Sequence, residues 1–384
     1  MRAITVRRER YGPPAKALKV EDVDIPSLRE DEVLIETRSS GINYNNIWAA
    51  LGNPLDVIRN LKRDGEPMSY MIPGSDGAGI VRKIGKRVTN VKVGDEVIIN
   101  PIYMSETDYL NRRNTDIVFA KSVRAYGYET NFGTLGEYCK VKYSQCLSKS
   151  PLLSWEESAS FVLSLSTSYQ MLFGYSENRL KKGDVVLIWG GAGGIGAYAI
   201  QLVKLAGAIP IAVVGQEERA KYCEQLGAIP INRNDFDHWN LFDPQKNYFE
   251  QKEWLSGVVK FRNTIKRLGK GKEPAIVFEH PGQETIPTSL ITCAQGGMVV
   301  TCGATSGYFC NIDMRYLWLN KKRIQGSHFS SFENVEESYS LIKNREILPL
   351  VGEVSNLEGG INLMQKIYEG KAAPGKSVIL FDKN

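Results

Sequence analysis

The most chemically suggestive residues of the 384-residue chain are glycines, crowded into WGGAGGIG (Trp189 to Gly196) directly after the apolar run VVLIW. They spell G-x-G-x-x-G at Gly191, Gly193 and Gly196, at the point where a β-branched strand gives way to an Ala-rich helix. In a dinucleotide site the first Gly permits the tight turn, the second lets a pyrophosphate approach the backbone, and the third allows close packing of helix on strand. The helix that follows offers unpaired N–H groups and a partial positive charge to the phosphates, with Gly194 in the glycine turn before it. A purely structural glycine turn is the alternative. The next strand, IPIAVV, ends at Val214 and Gly215 without a carboxylate at its tip, and Arg219 and Lys221 follow, placed to meet a 2′-phosphate. NADPH is therefore the expected cofactor, with Glu217 and Glu218 as neighbours that could instead act as the acidic partner of NAD. For Arg219 and Lys221 the competing reading is a solvated helix face.

Metal chemistry is not expected. The three histidines (His238, His280, His328) and six cysteines (Cys139, Cys146, Cys223, Cys293, Cys302, Cys310) are scattered, with no C-x-x-C and no Cys/His cluster. His238, in an aromatic and charged stretch from Asp235 to Leu255, is expected to be exposed. His280 is expected to be structural or to line the cofactor cleft.

Two kinds of element must position these residues. The first 150 residues read as strands and turns, with EVLIET (Glu32 to Thr37), GIVRKIG (Gly79 to Gly85) and GDEVII (Gly94 to Ile99) separated by Gly, Pro and Asp. From about Ser154 to Ser327 strands and helices alternate: VVLIW, a helix from Ile195, IPIAVV, a helix from Glu217 to Leu226, then AIVFE, GMVVTC and RIQGSHF. That alternation implies a doubly wound parallel sheet. The Asp235 to Leu255 stretch interrupts it, as a loop with a short helix or as an interface element. VGEVSNL and GKSVILF near the end read as strands returning to the first lobe. The expected division is residues 1–153, 154–328 and 329–384.

Composition narrows the class. With 42% hydrophobic and 24% charged residues the chain is an ordinary globular one, and a net charge of +5 is too mild for a nucleic-acid or membrane-surface protein while suiting an anionic small substrate. Arginines break any apolar run in MRAITVRRER, so no secretory signal is expected, and the uncharged run Val185 to Val203 is too glycine-rich and mixed in character to span a bilayer. Reduced thiols point to the cytoplasm.

A β-rich lobe, a dinucleotide domain and a return segment resemble the medium-chain dehydrogenase/reductase superfamily, and GSDGAGIVRKIGKRVTNVKVGDEV (Gly74 to Val97) is similar to its G-x-E-x-x-G signature, with Asp76 in place of Glu. The resemblance implies an α/β protein made of a GroES-like β-rich catalytic domain and a Rossmann doubly wound parallel-sheet domain. The superfamily's catalytic zinc Cys has no counterpart in GINYNN (Gly41 to Asn46), which places the chain with zinc-free reductases of conjugated double bonds. Within them NYNNIW, GYETNFGTLGEY, LSWEESA, FEHPG, RYLW and KRIQGSHF are similar, in that order, to the crotonyl-CoA carboxylase/reductases. The likeness implies an NADPH-dependent homo-oligomer, dimer or tetramer, that joins an α,β-unsaturated acyl-CoA and CO2 into an alkylmalonyl-CoA.

It further implies a CO2-positioning set of Asn45, Tyr128, Glu129 and His328, with Tyr128 standing where the family carries Phe. Arg315 and Tyr316 match the pair expected on the CoA phosphates, and Thr167 and Tyr169 would line the nicotinamide and substrate cleft. On their own, Asn45 could bond its turn backbone, Glu129 could be a surface carboxylate and His328 a core histidine. The chemistry requires an enolate to be steered to CO2 and away from a proton, and Asn46 to Pro54 contains no Tyr to act as the acid found in related enoyl reductases. Glu129 could bond Asn45 or His328, or bridge to them through water, and so fix their orientation. Two other readings stay open: a non-carboxylating enoyl-thioester reductase, suggested by the extra hydroxyl of Tyr128, and an NADPH-binding protein without turnover.

Overall fold

The computed structural model describes residues 1–63, 68–112, 120–239, 241–243, 245–246 and 250–381. In chain order the elements used below are β1 (Glu32–Gly41), α1 (Tyr44–Leu51), β2 (Asp76–Ile84), β3 (Glu96–Ile99), β4 (Tyr138–Lys142), β5 (Cys146–Ser148), α2 (Val162–Phe173), β6 (Val185–Trp189), α3 (Gly194–Leu205), β7 (Ile209–Val214), α4 (Glu217–Gln225), β8 (Ile229–Asn232), α5 (Lys252–Leu268), β9 (Ile276–Glu279), α6 (Ile286–Thr292), β10 (Met298–Thr301), α7 (Met314–Trp318), β11 (Arg323–Gly326), β12 (Val351–Ser355) and β13 (Lys376–Leu380). The chain folds as two compact units, Met1–Ser164 with Ser331–Asn384, and Leu165–Ser330.

The first unit is built on a seven-stranded sheet in the order β12-β13-β1-β2-β3-β5, with β4 also paired to β1. The long central strand β1 is nearly all buried, and it pairs antiparallel with β2, β4 and β13. Val33 and Ile35 of β1, Val81 of β2, Val97 and Ile99 of β3 and Val141 of β4 close one core, the inward set that period-two alternation selects. The C-terminal strand β13 is thus bonded directly to β1, with Val378 opposite Gly41.

The second unit is a six-stranded parallel sheet in the order β8-β7-β6-β9-β10-β11, which is the doubly wound order with its reversal between β6 and β9. Strands covered by helices on both faces have no polar side, and every residue of β6 is buried. Helix α3 turns Ala197, Ala199, Ile200, Leu202 and Val203 inward.

The Asp235 to Leu255 stretch differs from expectation. Residues 240, 244 and 247–249 lie outside the described residues, and Leu255 belongs to α5, a seventeen-residue amphipathic helix and not a short one. Phe236 and Trp239 join Phe261 of α5 and Trp189 of β6 in the core. His238, expected to be exposed, is 1% exposed. In the extended F-D-H-W run Phe236 and His238 share a face by period-two alternation, so the ring follows Phe236 inward. It lies 4.0 Å from the Trp239 ring and 5.9 Å from that of Phe261, and neither ring nitrogen has a partner among the described residues.

Burial lowers the His238 pKa to about 4 from 6.5. The unfolded chain therefore binds a proton between these values that the folded chain refuses, and stability is lost as pH falls from 6.5 toward 4. The variant His238→Leu removes this linkage. At pH 5 its unfolding free energy should rise about 2 kcal/mol more, relative to wild type, than at pH 8, measured by urea denaturation at both pH values.

Candidate functional site

The dinucleotide turn forms at the C-terminal end of β6, beside the strand-order reversal. Gly190 has φ 62° and carries the turn, and His280 packs across it: its Nε2 lies 3.0 Å from the Trp189 carbonyl, and a Cβ on Gly190 would stand 2.6 Å from the same nitrogen. His280 therefore supports the turn. Behind it the buried Glu279 accepts from Thr285 Oγ1 (2.7 Å) and Ser289 Oγ (2.6 Å), while Ser289 accepts from the Trp189 indole (2.8 Å).

Two glycines of the turn are required for different reasons. A Cβ on Gly196 would meet the Gly190 carbonyl oxygen at 2.4 Å, so backbone on backbone forbids it. On Gly193 it would meet nothing closer than 3.4 Å. The chain itself does not need Gly193; the space in front of it does, and that space suits a pyrophosphate. Gly193 is the N-cap and Gly194 the first residue of α3, with no side chain capping the helix, so its leading N–H groups are available to an anion.

At the tip of β7 the side chains sort themselves. Lys221 pairs with Glu217 at 3.4 Å on the open face of α4. Arg219, one turn into α4, is partly buried. Sequence reasoning missed Arg233. Val214 pairs with Asn232, so the residue after β8 stands beside Gly215; a Cβ on Gly215 would lie 3.6 Å from the Arg233 side chain, and Asn234 Nδ2 donates to the Gly215 carbonyl at 2.9 Å. The signal was a basic residue just past the strand next to the dinucleotide strand. In the same unit Thr167 is buried on α2, Tyr169 packs on Phe173 with ring centres 4.8 Å apart, and His328 is exposed just beyond β11 with its ring 4.2 Å from Phe329. Arg315 is held by Asp313 through Nε (3.0 Å) and Nη2 (2.7 Å), which keeps the Asp313 carboxyl below its usual pKa, and Tyr316 packs beside Trp254 and Val258 of α5.

The first unit carries Asn45, Tyr128 and Glu129. Asn45 is the second residue of α1, and its Nδ2 donates to Ser75 Oγ at 2.7 Å; its Oδ1 is buried and has no partner among the described residues. Tyr128 is buried and its ring lies 6.3 Å from that of Trp48, on the same helix as Asn45. The loop bearing it is pressed onto the start of β2: Gly127 has φ 65°, and a Cβ there would be 1.9 Å from the Gly74 carbonyl oxygen. Among the described residues Glu129 makes no direct hydrogen bond to Asn45. Glu129 Oε2 accepts from the Ala125 N–H at 2.7 Å and lines a cavity of about 280 Å³ with Arg124, Lys140 and Lys142, and Ser75 takes the orienting role.

The chain matches the alcohol dehydrogenase GroES-like domain over residues 29–151 and the zinc-binding dehydrogenase family over residues 194–344. Among the described residues no group of three or more His, Cys, Asp or Glu gathers as a metal site would require, so the side chains do not fit a zinc ion. It is 39% identical over 382 residues to the crotonyl-CoA carboxylase/reductase of Cereibacter sphaeroides, covering 99% of this chain and 87% of that one. The chain belongs to the crotonyl-CoA carboxylase/reductase family. The crotonyl-CoA reductase of Streptomyces avermitilis is 35% identical over 96% of the chain and 86% of its own length. Two solved structures align over 99% of the chain: the crotonyl-CoA carboxylase/reductase AntE in complex with NADP (TM-score 0.92, 38% identity, 94% of that chain) and the 2-octenoyl-CoA carboxylase reductase CinF in complex with NADP and 2-octenoyl-CoA (TM-score 0.89, 34% identity, 87% of that chain).

The two glycines separate binding from folding. Gly193→Ala should keep wild-type stability while weakening NADPH binding at least about tenfold, because its Cβ occupies phosphate space; Gly196→Ala should lose about 2 kcal/mol or more of stability through backbone collision. Fluorescence titration and denaturant melts of both variants check this.

Proposed function

We propose that the protein catalyses NADPH-dependent reductive carboxylation of an α,β-unsaturated acyl-CoA, with Asn45 as the CO2-holding amide. The observation that carries the assignment of Asn45 is its side chain, fixed by Ser75 through one end and, among the described residues, buried without a partner at the other. Exchange of the amide atoms by a half-turn about χ2 lets the Ser75 hydroxyl donate to Oδ1 and aims Nδ2 at the vacant position, as a donor for a CO2 oxygen.

When bound, NADPH supplies a hydride to the β-carbon of the enoyl thioester, which leaves an enolate whose α-carbon is nucleophilic. The protein decides what that carbon meets. Asn45 holds one CO2 oxygen and Tyr128 stands beside Trp48 of the same helix as Asn45, and His328 is proposed as a further CO2 contact. Glu129 is bound to its own loop. Arg315 and Tyr316 take the CoA phosphates, and Thr167 and Tyr169 the nicotinamide and acyl portion. Gly191, Gly193, Gly194 and Gly196 seat the pyrophosphate, while Arg219, Lys221 and Arg233 take the 2′-phosphate, Lys221 in exchange for its exposed pair with Glu217 and Arg233 in exchange for its pair with Glu284.

Ile324 on the edge strand β11, Trp318 at the end of α7 and Leu319 just beyond it are 39%, 64% and 59% exposed, and such exposed apolar side chains support a homo-oligomer in which a second copy covers them. Among the described residues no helix is long and apolar enough to cross a membrane, and all six cysteines are unpaired, which supports a reducing cytoplasmic setting.

With crotonyl-CoA, NADPH and labelled bicarbonate, label should enter an alkylmalonyl-CoA product, and unlabelled butyryl-CoA alone would reject the assignment. In the same assay Asn45→Ala should shift product about tenfold toward the protonated form, and Tyr128→Phe should raise the carboxylated fraction. Arg233→Ala should raise the KM for NADPH about tenfold while leaving that for NADH nearly unchanged, the loss of one charge-assisted phosphate contact.

A further inference from the structure

The start of β13 and the start of β2 flank the chain where it leaves β1. Val378 opposite Gly41 continues to Ser377, whose carbonyl accepts the Ile42 N–H at 2.9 Å, and so brings Lys376 beside Asn43. On the other side Gly41 pairs with Asp76. Lys376 is 3% exposed and Asp76 fully buried, and they form an ion pair at 3.1 Å. Both ends of the Asn43 amide are used by this pair: Lys376 Nζ donates to its Oδ1, and its Nδ2 donates to Asp76 Oδ2 at 3.0 Å. Lys376 also donates to Ser164 Oγ at 3.0 Å, and Asp76 Oδ1 accepts the Leu163 N–H at 2.7 Å. Every strong direction of the two charges is thus occupied by groups around the entry to α1.

Asn45 lies two residues from Asn43, and its side-chain partner, Ser75, is the neighbour of Asp76. The backbone N–H of Asn43 is itself closed by Asn46 Oδ1 at 2.8 Å, so the first turn of α1 moves as one piece with Asn43. We infer that the buried Lys376–Asp76 pair is a positioning device: through Asn43 and Ser75 it fixes both the backbone and the amide plane of Asn45, and so sets how the enolate divides between CO2 and a proton. A buried ion pair of this kind rarely adds net stability over apolar side chains of the same volume, but it does impose direction on the groups it bonds. The inference rests on the assignment of Asn45 made above. Lys376 and Asp76 touch neither substrate nor cofactor in this role.

The test compares Lys376→Met, Asp76→Asn, the double variant and Ser75→Ala, each as the full chain, with NADPH, crotonyl-CoA and labelled bicarbonate. It reads NADPH oxidation and the ratio of carboxylated to protonated product separately. The ratio should fall about tenfold in each variant, while the KM for NADPH stays within about twofold. A merely structural pair would lower both products in parallel, and an unchanged ratio across these variants overturns the proposal. Should the single charge variants fail to fold, the double variant, which strands no charge, and Ser75→Ala decide: a wild-type ratio in both overturns it. Asn45→Ala separates the two levels. A wild-type ratio there removes the assignment of Asn45 and this proposal with it; a collapsed ratio there, with wild-type ratios in the pair and Ser75 variants, overturns the positioning role alone.

Discussion

The first unit depends on a carboxylate that has no access to water. Asp76, at the head of β2, is accommodated in a sheet interior by opposite charge and donors around it, because desolvating an isolated carboxylate costs several kcal/mol or more. Lys376, Asn43 and the Leu163 N–H supply that surrounding from three distant parts of the sequence. The requirement is reciprocal, since Lys376 is as deeply buried and needs Asp76 equally. Satisfying it draws the C-terminal strand, the exit of β1 and the entry of α2 to one point. The first turn of α1, which carries Asn45, is anchored at that point through Asn43.

The second unit uses steric closeness for the same purpose. Gly196 is needed because the Gly190 carbonyl oxygen lies where a Cβ would be, and the Trp189 carbonyl is tied by His280 while its indole is tied through Ser289 to Glu279. Burial pushes the Glu279 pKa up to about 7, against four donors that favour its ionised form. The donors bind the carboxylate at short range, and we regard them as the dominant influence on its geometry. Backbone approach and a small polar network thereby hold the phosphate turn, where the first unit uses a full charge pair.

Much of this was legible in the sequence. VVLIW and IPIAVV matched β6 and β7 residue for residue, because strands buried on both faces have no polar position to blur their ends. The glycine turn was readable since its spacing is dictated by sterics. Long-range relations were not. Arg233 reaches Gly215 only through strand pairing, and Ser75 meets Asn45 only once β2 is laid beside β1, so neither partner has a local signature. His238 was misread for a different reason: a titratable residue in a charged run suggests solvent, but the alternation with Phe236 outweighed its polarity. Glu129 accepts from its own loop at the Ala125 N–H, a local bond that no spacing in the sequence marks.

The energetics of CO2 capture explain why such fixation matters. Favouring carboxylation over protonation a hundredfold needs only ~2.7 kcal/mol between transition states. A hydrogen bond to a small uncharged ligand supplies ~1 to 1.5 kcal/mol at best. Immobilising a free side chain at the moment of binding costs up to about 2 kcal/mol, depending on its rotamer freedom, and would cancel most of that gain. An amide already ordered by Ser75, on a helix turn already anchored at Asn43, has met that cost during folding. CO2 offers too few handles to organise its own site. On the proposed assignment of Asn45, the discrimination resides in the ordering of its amide before CO2 arrives, and the strength of its eventual bond matters less than how little the amide has left to lose.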